Sequence, residues 1–177
     1  DSKRLVSWFQ ENARPLPWRV SRDPYAIWIS EIMLQQTTVK AVIPYYHRFM
    51  KQFPNIQTLA KAKLDQIYKY WAGLGYYSRA RNLHKAANQI VQLGSFPENY
   101  EQLLKLSGFG DYTARAVTSQ AFSEKVGVVD GNVIRVLSRR FGLAVEHWKP
   151  KEKKILQEIA DQFAQTQEPN LINQAFM

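Results

Sequence analysis

Leu106-Ser107-Gly108-Phe109-Gly110 separates two segments of helical periodicity, residues 99–106 and 112–121. Its two glycines permit a tight hairpin whose backbone N–H groups point outward at the start of the second helix, and such a turn suits a phosphate. A glycine pair alone marks any turn. Between two helices of a basic chain it also reads as a grip on a nucleic-acid backbone. That grip is blind to sequence, because phosphate contacts position a protein without reading bases.

Outward from the hairpin the periodicity stays helical, and the fold class is all-α. Helices are expected over residues 3–12, from the polar loop at 21–24 through Gln36, over 39–52, in short pieces over 59–71, and over 78–93 with Gly94 as its C-terminal stop. Ser95 and Glu98 are spaced as a capping box for the helix at 99–106, with Pro97 in its first turn. Further helices are expected at 133–141 and 151–164, and residues 170–177 read as a helix that continues past Met177 in a longer protein. Only 126–129 looks strand-like, and it is too short to start a sheet.

A chain of 177 residues holding 45% hydrophobic and 13% aromatic residues can bury a real core, in one domain or two interleaved lobes. No apolar run nears the roughly 18 residues of a membrane span, and the start (Asp1, Ser2, Lys3, Arg4) has no signal-peptide core, so an intracellular protein is expected. The absence of cysteine excludes disulfides, thiolate metal sites and cysteine nucleophiles within this stretch. The net charge of +9 draws polyanions, and nucleic acid is the first partner to consider. The excess is concentrated in residues 61–90, with six Lys/Arg and one Asp, and in 131–154, with seven Lys/Arg and two Glu.

Glu31 is the most anomalous residue. It sits in Ala26-Ile27-Trp28-Ile29-Ser30-Glu31-Ile32-Met33-Leu34, apolar nearly all round, and shares a helix face with Ile27 and Leu34. A buried carboxyl loses hydration, its pKa rises, and it can hold a proton as a general acid must; the alternative is a Glu paired with one of the many arginines. Asp130 has the opposite setting. It precedes the helix at 133–141 as an N-cap would, where free N–H groups and the helix dipole favour the anion. Two carboxyls under opposed pressures suit glycosidic bond cleavage, one protonating the leaving group and the other stabilising the cationic sugar; read singly, Asp130 is simply a cap. Gly75-Tyr76-Tyr77-Ser78-Arg79 and Gln35-Gln36-Thr37-Thr38 put Tyr and Gln where they could wedge into a base stack, although tyrosines also serve as ordinary core. His47, His84 and His147 are scattered, without metal-ligand spacing.

Together with Leu16-Pro17-Trp18-Arg19, Ser30 to Thr37, Gly73 to Leu83 and Val129-Asp130-Gly131-Asn132-Val133, these motifs resemble the catalytic region of the MutY-type adenine DNA glycosylases. That family lies in the helix-hairpin-helix superfamily that includes endonuclease III, and the resemblance covers nearly the whole chain. It implies a two-lobed fold: a six-helix barrel with the hairpin over 17–124, and a second helical lobe from 1–16 and 125–177. The implied activity is base-excision repair, removing adenine mispaired with 8-oxoguanine or guanine from double-stranded DNA by acid-assisted cleavage of the N-glycosidic bond of a flipped nucleotide.

By the same resemblance Glu31 protonates the adenine, and Asp130 stabilises the oxocarbenium-like sugar or briefly bonds to it. Tyr112 stands where bifunctional relatives carry a lysine nucleophile, so strand cleavage is expected to be inefficient. Asn132 matches a polar neighbour of the catalytic Asp. Arg14, Trp18, Arg19, Leu34 and Gln174 match the adenine pocket; Gln36 and Tyr76 match residues that enter the duplex; and Gly108, Phe109 and Gly110 form the DNA-gripping hairpin. The family usually adds four cysteines for a [4Fe–4S] cluster and an 8-oxoguanine recognition domain, so such a cluster is implied only for a longer protein. No metal, no membrane partner and a monomer are expected here, in the cytoplasm with the nucleoid for a bacterial protein and in the nucleus for a eukaryotic one. Two alternatives stand beside this reading: a mismatch thymine glycosylase of the same superfamily, and a non-catalytic helix-hairpin-helix binding module.

Overall fold

The computed structural model describes residues 2–146 and 148–177, so Asp1 and His147 lie outside the described residues. It is all-helical, in the order α1 (Ser2–Asn12), α2 (Pro24–Leu34), α3 (Val39–Gln52), α4 (Ile56–Lys61), α5 (Leu64–Trp71), α6 (Tyr77–Leu93), α7 (Tyr100–Leu103), α8 (Asp111–Ala121), α9 (Gly131–Phe141), α10 (Pro150–Thr166) and α11 (Pro169–Phe176). A 3-10 turn, Pro17–Arg19, precedes α2. The 126–129 segment is extended but pairs with no strand among the described residues.

Two cores hold these helices. The first gathers α2 to α8 around Trp28, Phe49, Phe53, Ile67, Trp71, Leu83 and Leu103, and it includes Leu16 from the connection after α1. The second joins the chain's two ends: Val6 of α1, Val133 and Leu137 of α9, Leu156 and Ala160 of α10, and Ile172 and Phe176 of α11. Helix α2 carries the periodicity argument to its limit, with nine of its eleven residues buried and Asp23 capping its first turn through the Tyr25 N–H at 3.0 Å. Helix α8 is the hinge piece, packing on α2 on one side and on α11 on the other.

One expected cap is placed differently. Ser95 and Glu98 start no helix; Asn99 caps α7 by accepting from the Gln102 N–H at 3.0 Å, and the Tyr100 N–H goes to Glu124 Oε2 at 2.8 Å. Asn serves an N-cap at least as well as Ser, and the Glu124 contact holds the helix start to the segment after α8.

That segment crosses between the cores and carries Asp130. With no strand partner, its backbone is satisfied by side chains. The Gly127 N–H donates to Asp161 Oδ1 at 2.7 Å, Gln157 donates to the Gly127 carbonyl at 2.8 Å, and Asn173 both accepts from the Val128 N–H at 3.1 Å and donates to the Val126 carbonyl at 2.9 Å. Arg115 of α8 closes the assembly on Asp161 at 2.9 Å. Gly127 has no room for a side chain, since a Cβ there would lie 2.3 Å from the Ala160 carbonyl carbon. Gly127→Ala is therefore expected to destabilise the fold by about 1–3 kcal/mol through overpacking, read as a lower urea midpoint with an unchanged slope; an unaltered midpoint would show that the crossing relaxes freely.

Candidate active site

Glu31 is 7% exposed, on a helix whose other buried positions are nearly all apolar. Its two oxygens are held from opposite ends of α8: Tyr112 in the first turn donates to Oε2 at 3.1 Å, and Gln120 in the last turn donates to Oε1 at 3.0 Å. Burial raises its pKa above the ordinary carboxyl value. The two hydrogen bonds and the Arg19 charge pull the other way, and the charge of Asp130 adds to the rise. The carboxyl thus faces both donors and a neighbouring acid, and burial decides the direction. Tyr112 is pushed far up by burial and by the Glu31 and Asp130 carboxyls, so its phenol keeps its proton; Met177 Sδ lies within its reach at 3.4 Å.

Asp130 caps α9 as expected, accepting from the Val133 N–H at 2.8 Å through Oδ1, while the Asn132 amide donates to Oδ2 at 3.0 Å. Glu31 and Asp130 line one cavity of about 240 Å³, together with Tyr112 and Asn132. Arg14, Trp18, Arg19, Leu34 and Gln174 line it too, so all nine residues expected at the chemistry or in the base pocket converge. Trp18 is fixed as a wall, edge-on to Tyr46 at 5.3 Å, and Arg19 donates to the Arg14 carbonyl at 3.3 Å and lies over the Phe9 ring at 5.1 Å. A [4Fe–4S] cluster takes Cys thiolates, and this chain contains no Cys, so none of its residues fits that group.

The residues expected to enter the duplex lie outside the cavity. Gln36 and Tyr76 are exposed, Tyr76 at 62%, and Gln36 adjoins Thr37, which does line the cavity. Both have left-handed backbones, with φ of 56° and 46°. Each such non-glycine conformation costs about 1–3 kcal/mol and persists only where its surroundings hold it.

The hairpin needs a correction at Phe109. Its side chain is buried and stacked on Trp28 with centroids 5.1 Å apart, and its N–H donates to the Leu106 carbonyl at 3.3 Å, so neither faces a ligand. A ring of that size gains more from the first core than from water, and it anchors the turn from beneath. Gly108 and Gly110 are the exposed members. Gly108 has φ of 79°, and a Cβ there would fall 2.7 Å from Asn82 Cβ.

Sequence reasoning missed Gln120, Asn173 and Arg79. Gln120 left a signal: with Thr113, Ala116 and Val117 it completes a buried i, i+3, i+4, i+7 stripe, in which a Gln must find a partner. Asn173 left none. The histidines are structural where described, His84 bonding the Ala60 carbonyl at 3.2 Å and His47 lying edge-on to Tyr46 at 6.2 Å.

Known proteins share this arrangement of elements. The chain is 42% identical over 176 residues to the adenine DNA glycosylase of Buchnera aphidicola subsp. Baizongia pistaciae, covering 98% of this chain and 50% of that protein. It is 42% identical over 184 residues to the adenine DNA glycosylase of Homo sapiens, covering 98% of this chain and 34% of that one. A solved thermostable thymine-DNA glycosylase superposes with a TM-score of 0.88 at 30% identity, covering 99% of this chain and 82% of the other. The chain thus spans half or less of the length of these two curated relatives. Residues 29–165 match the family described as HhH-GPD superfamily base excision DNA repair protein, a span that takes in Glu31, the hairpin and Asp130 alike, and by that match the chain belongs to the HhH-GPD superfamily.

Proposed function

We propose that this chain is a DNA glycosylase that removes adenine from a mispair with 8-oxoguanine or guanine. The observation that carries the reading is the pairing, in one base-sized cavity, of a buried Glu31 whose pKa burial pushes up with an Asp130 fixed at a helix N-terminus. Duplex DNA binds across the face bearing Gly108, Gly110, Gln36 and Tyr76, and the target nucleotide swings into the cavity. Glu31 gives its proton to the base, the glycosidic electron pair leaves with the base, and the Asp130 carboxylate stabilises the cationic sugar until water adds to it and gives up a proton, which restores the Glu31 acid. Arg14, Trp18, Arg19, Leu34 and Gln174 surround the base, and Asn132 orients Asp130. No lysine lines the cavity among the described residues, and the Tyr112 phenol offers no amine for a Schiff base, which supports base removal without efficient strand cleavage.

A pure binding module gains nothing from a desolvated acid and bears its burial cost, whereas a glycosylase needs that acid as its proton donor. A thymine glycosylase is the second reading, favoured by the structural likeness at a TM-score of 0.88. Adenine is preferred because it presents a basic imidazole nitrogen to Glu31 and thymine presents none, and because the two adenine glycosylases share more identity with this chain, 42% against 30%. A base-release assay on A opposite 8-oxoguanine and on T opposite G decides between them. Adenine release is the expected outcome; preferential thymine release would overturn the assignment.

A further inference from the structure

Gln36 and Tyr76 are forty positions apart, yet one guanidinium bonds the residue before each. Arg79, in the first turn of α6, donates through Nη1 to the carbonyls of Ile32 (2.8 Å), Met33 (3.3 Å) and Gln35 (2.6 Å). Through Nη2 it donates to those of Leu74 (3.0 Å) and Gly75 (3.4 Å). Gln35 and Gly75 are the residues immediately before Gln36 and Tyr76, and their carbonyls belong to the peptide planes whose rotation sets the two positive φ values. Each terminal nitrogen therefore pins one left-handed turn. The Ile32 and Met33 carbonyls are the unpaired acceptors at the end of α2, where a positive charge also meets the helix dipole favourably. The guanidinium lies 5.5 Å from the Trp71 ring and 5.6 Å from the Tyr76 ring. Only a planar fork with several donors can serve both turns; an ammonium is too compact.

We propose that Arg79 is a positioning residue that presents Gln36 and Tyr76 to DNA as one rigid unit, so that both enter the duplex together when the target base leaves it. The proposal rests on the reading that Gln36 and Tyr76 are the groups that enter. Arg79 faces backbone carbonyls, and its loss acts on base extrusion while leaving Glu31 and Asp130 in place.

The test is stopped-flow fluorescence of 2-aminopurine at the target position of a duplex, with adenine excision measured on a paired substrate and on one whose adenine lies in an unpaired bubble. Arg79→Lys is expected to lower extrusion and paired-substrate excision by roughly tenfold and to leave bubble-substrate excision and its pH profile near those of the unaltered protein. An equal loss on both substrates would mean a merely structural role and would overturn the proposal, as would unchanged extrusion. Gln36→Ala and Tyr76→Ala, in the protein that keeps Arg79, supply the second arm, which does not depend on the lysine variant folding. Held as one unit, their effects on extrusion are non-additive, and additive effects contradict the proposal. Should neither alanine variant alter extrusion, the underlying reading of Gln36 and Tyr76 fails instead.

Discussion

Glu31→Gln is expected to lower single-turnover adenine release by on the order of 10²–10⁴-fold, the range spanned by positioned general acids, while duplex binding measured by fluorescence anisotropy stays close to that of the unaltered protein. Gln has nearly the same shape, and its amide oxygen can still accept from Tyr112 or Gln120, so the cavity keeps its walls. What it lacks is a proton to give. The pH dependence carries the same information. Burial raises the Glu31 pKa above its usual value of 4.5. Between that value and the folded one, the native protein holds a proton that the unfolded chain has released, so stability falls as pH rises through the window and is unaffected by Glu31 below it. Base release holds through that window and falls as pH rises through the folded pKa, where the native acid ionises. In Glu31→Gln both slopes should vanish, checked by urea unfolding and single-turnover rates across pH. Normal excision by this variant would remove Glu31 from the chemistry.

Asp130→Asn tests the other half of the site and separates its two roles. Asn caps a helix about as well as Asp, and the Val133 N–H needs only a side-chain oxygen at that position. Folding and duplex binding are thus expected to be nearly unchanged. The negative charge facing the sugar is lost, and removing a preorganised electrostatic stabiliser costs on the order of 10²–10³ in rate. Asp130→Ala should show the same kinetic loss plus about 1 kcal/mol of stability from the missing cap. An asparagine variant that released adenine at the usual rate would reduce Asp130 to a helix cap.

Much of this site was legible before any coordinates. Glu31 had to be buried because a helix apolar on every side cannot turn one residue to water, and Asp130 had to cap because it ends an apolar run just ahead of a helix. The convergence of Arg14, Trp18, Arg19, Leu34 and Gln174 followed from the family resemblance, and their own spacing carries no such information. Phe109 shows the limit of the motif: the hairpin pattern names three residues, while burial against Trp28 assigns the middle one to the core. Ser95 shows another, since several residues near a helix start have cap chemistry, and it is Asn99 that accepts from the first turn.

Sequence by itself determined the all-helical class, the burial of the Glu31 helix and the local setting of both carboxyls, because a period of 3.6 residues and a helix terminus are properties of neighbouring residues. Tertiary structure alone decided that Glu31 meets Tyr112 and Gln120 from 81 and 89 positions away, that Asn173 braces the segment leading to Asp130, and that Arg79 ties two distant turns. Periodicity states that a side chain is inward and is silent on which polar group it meets there. That partner depends on how two helices far apart in the chain cross, and so on the packing of both cores at once.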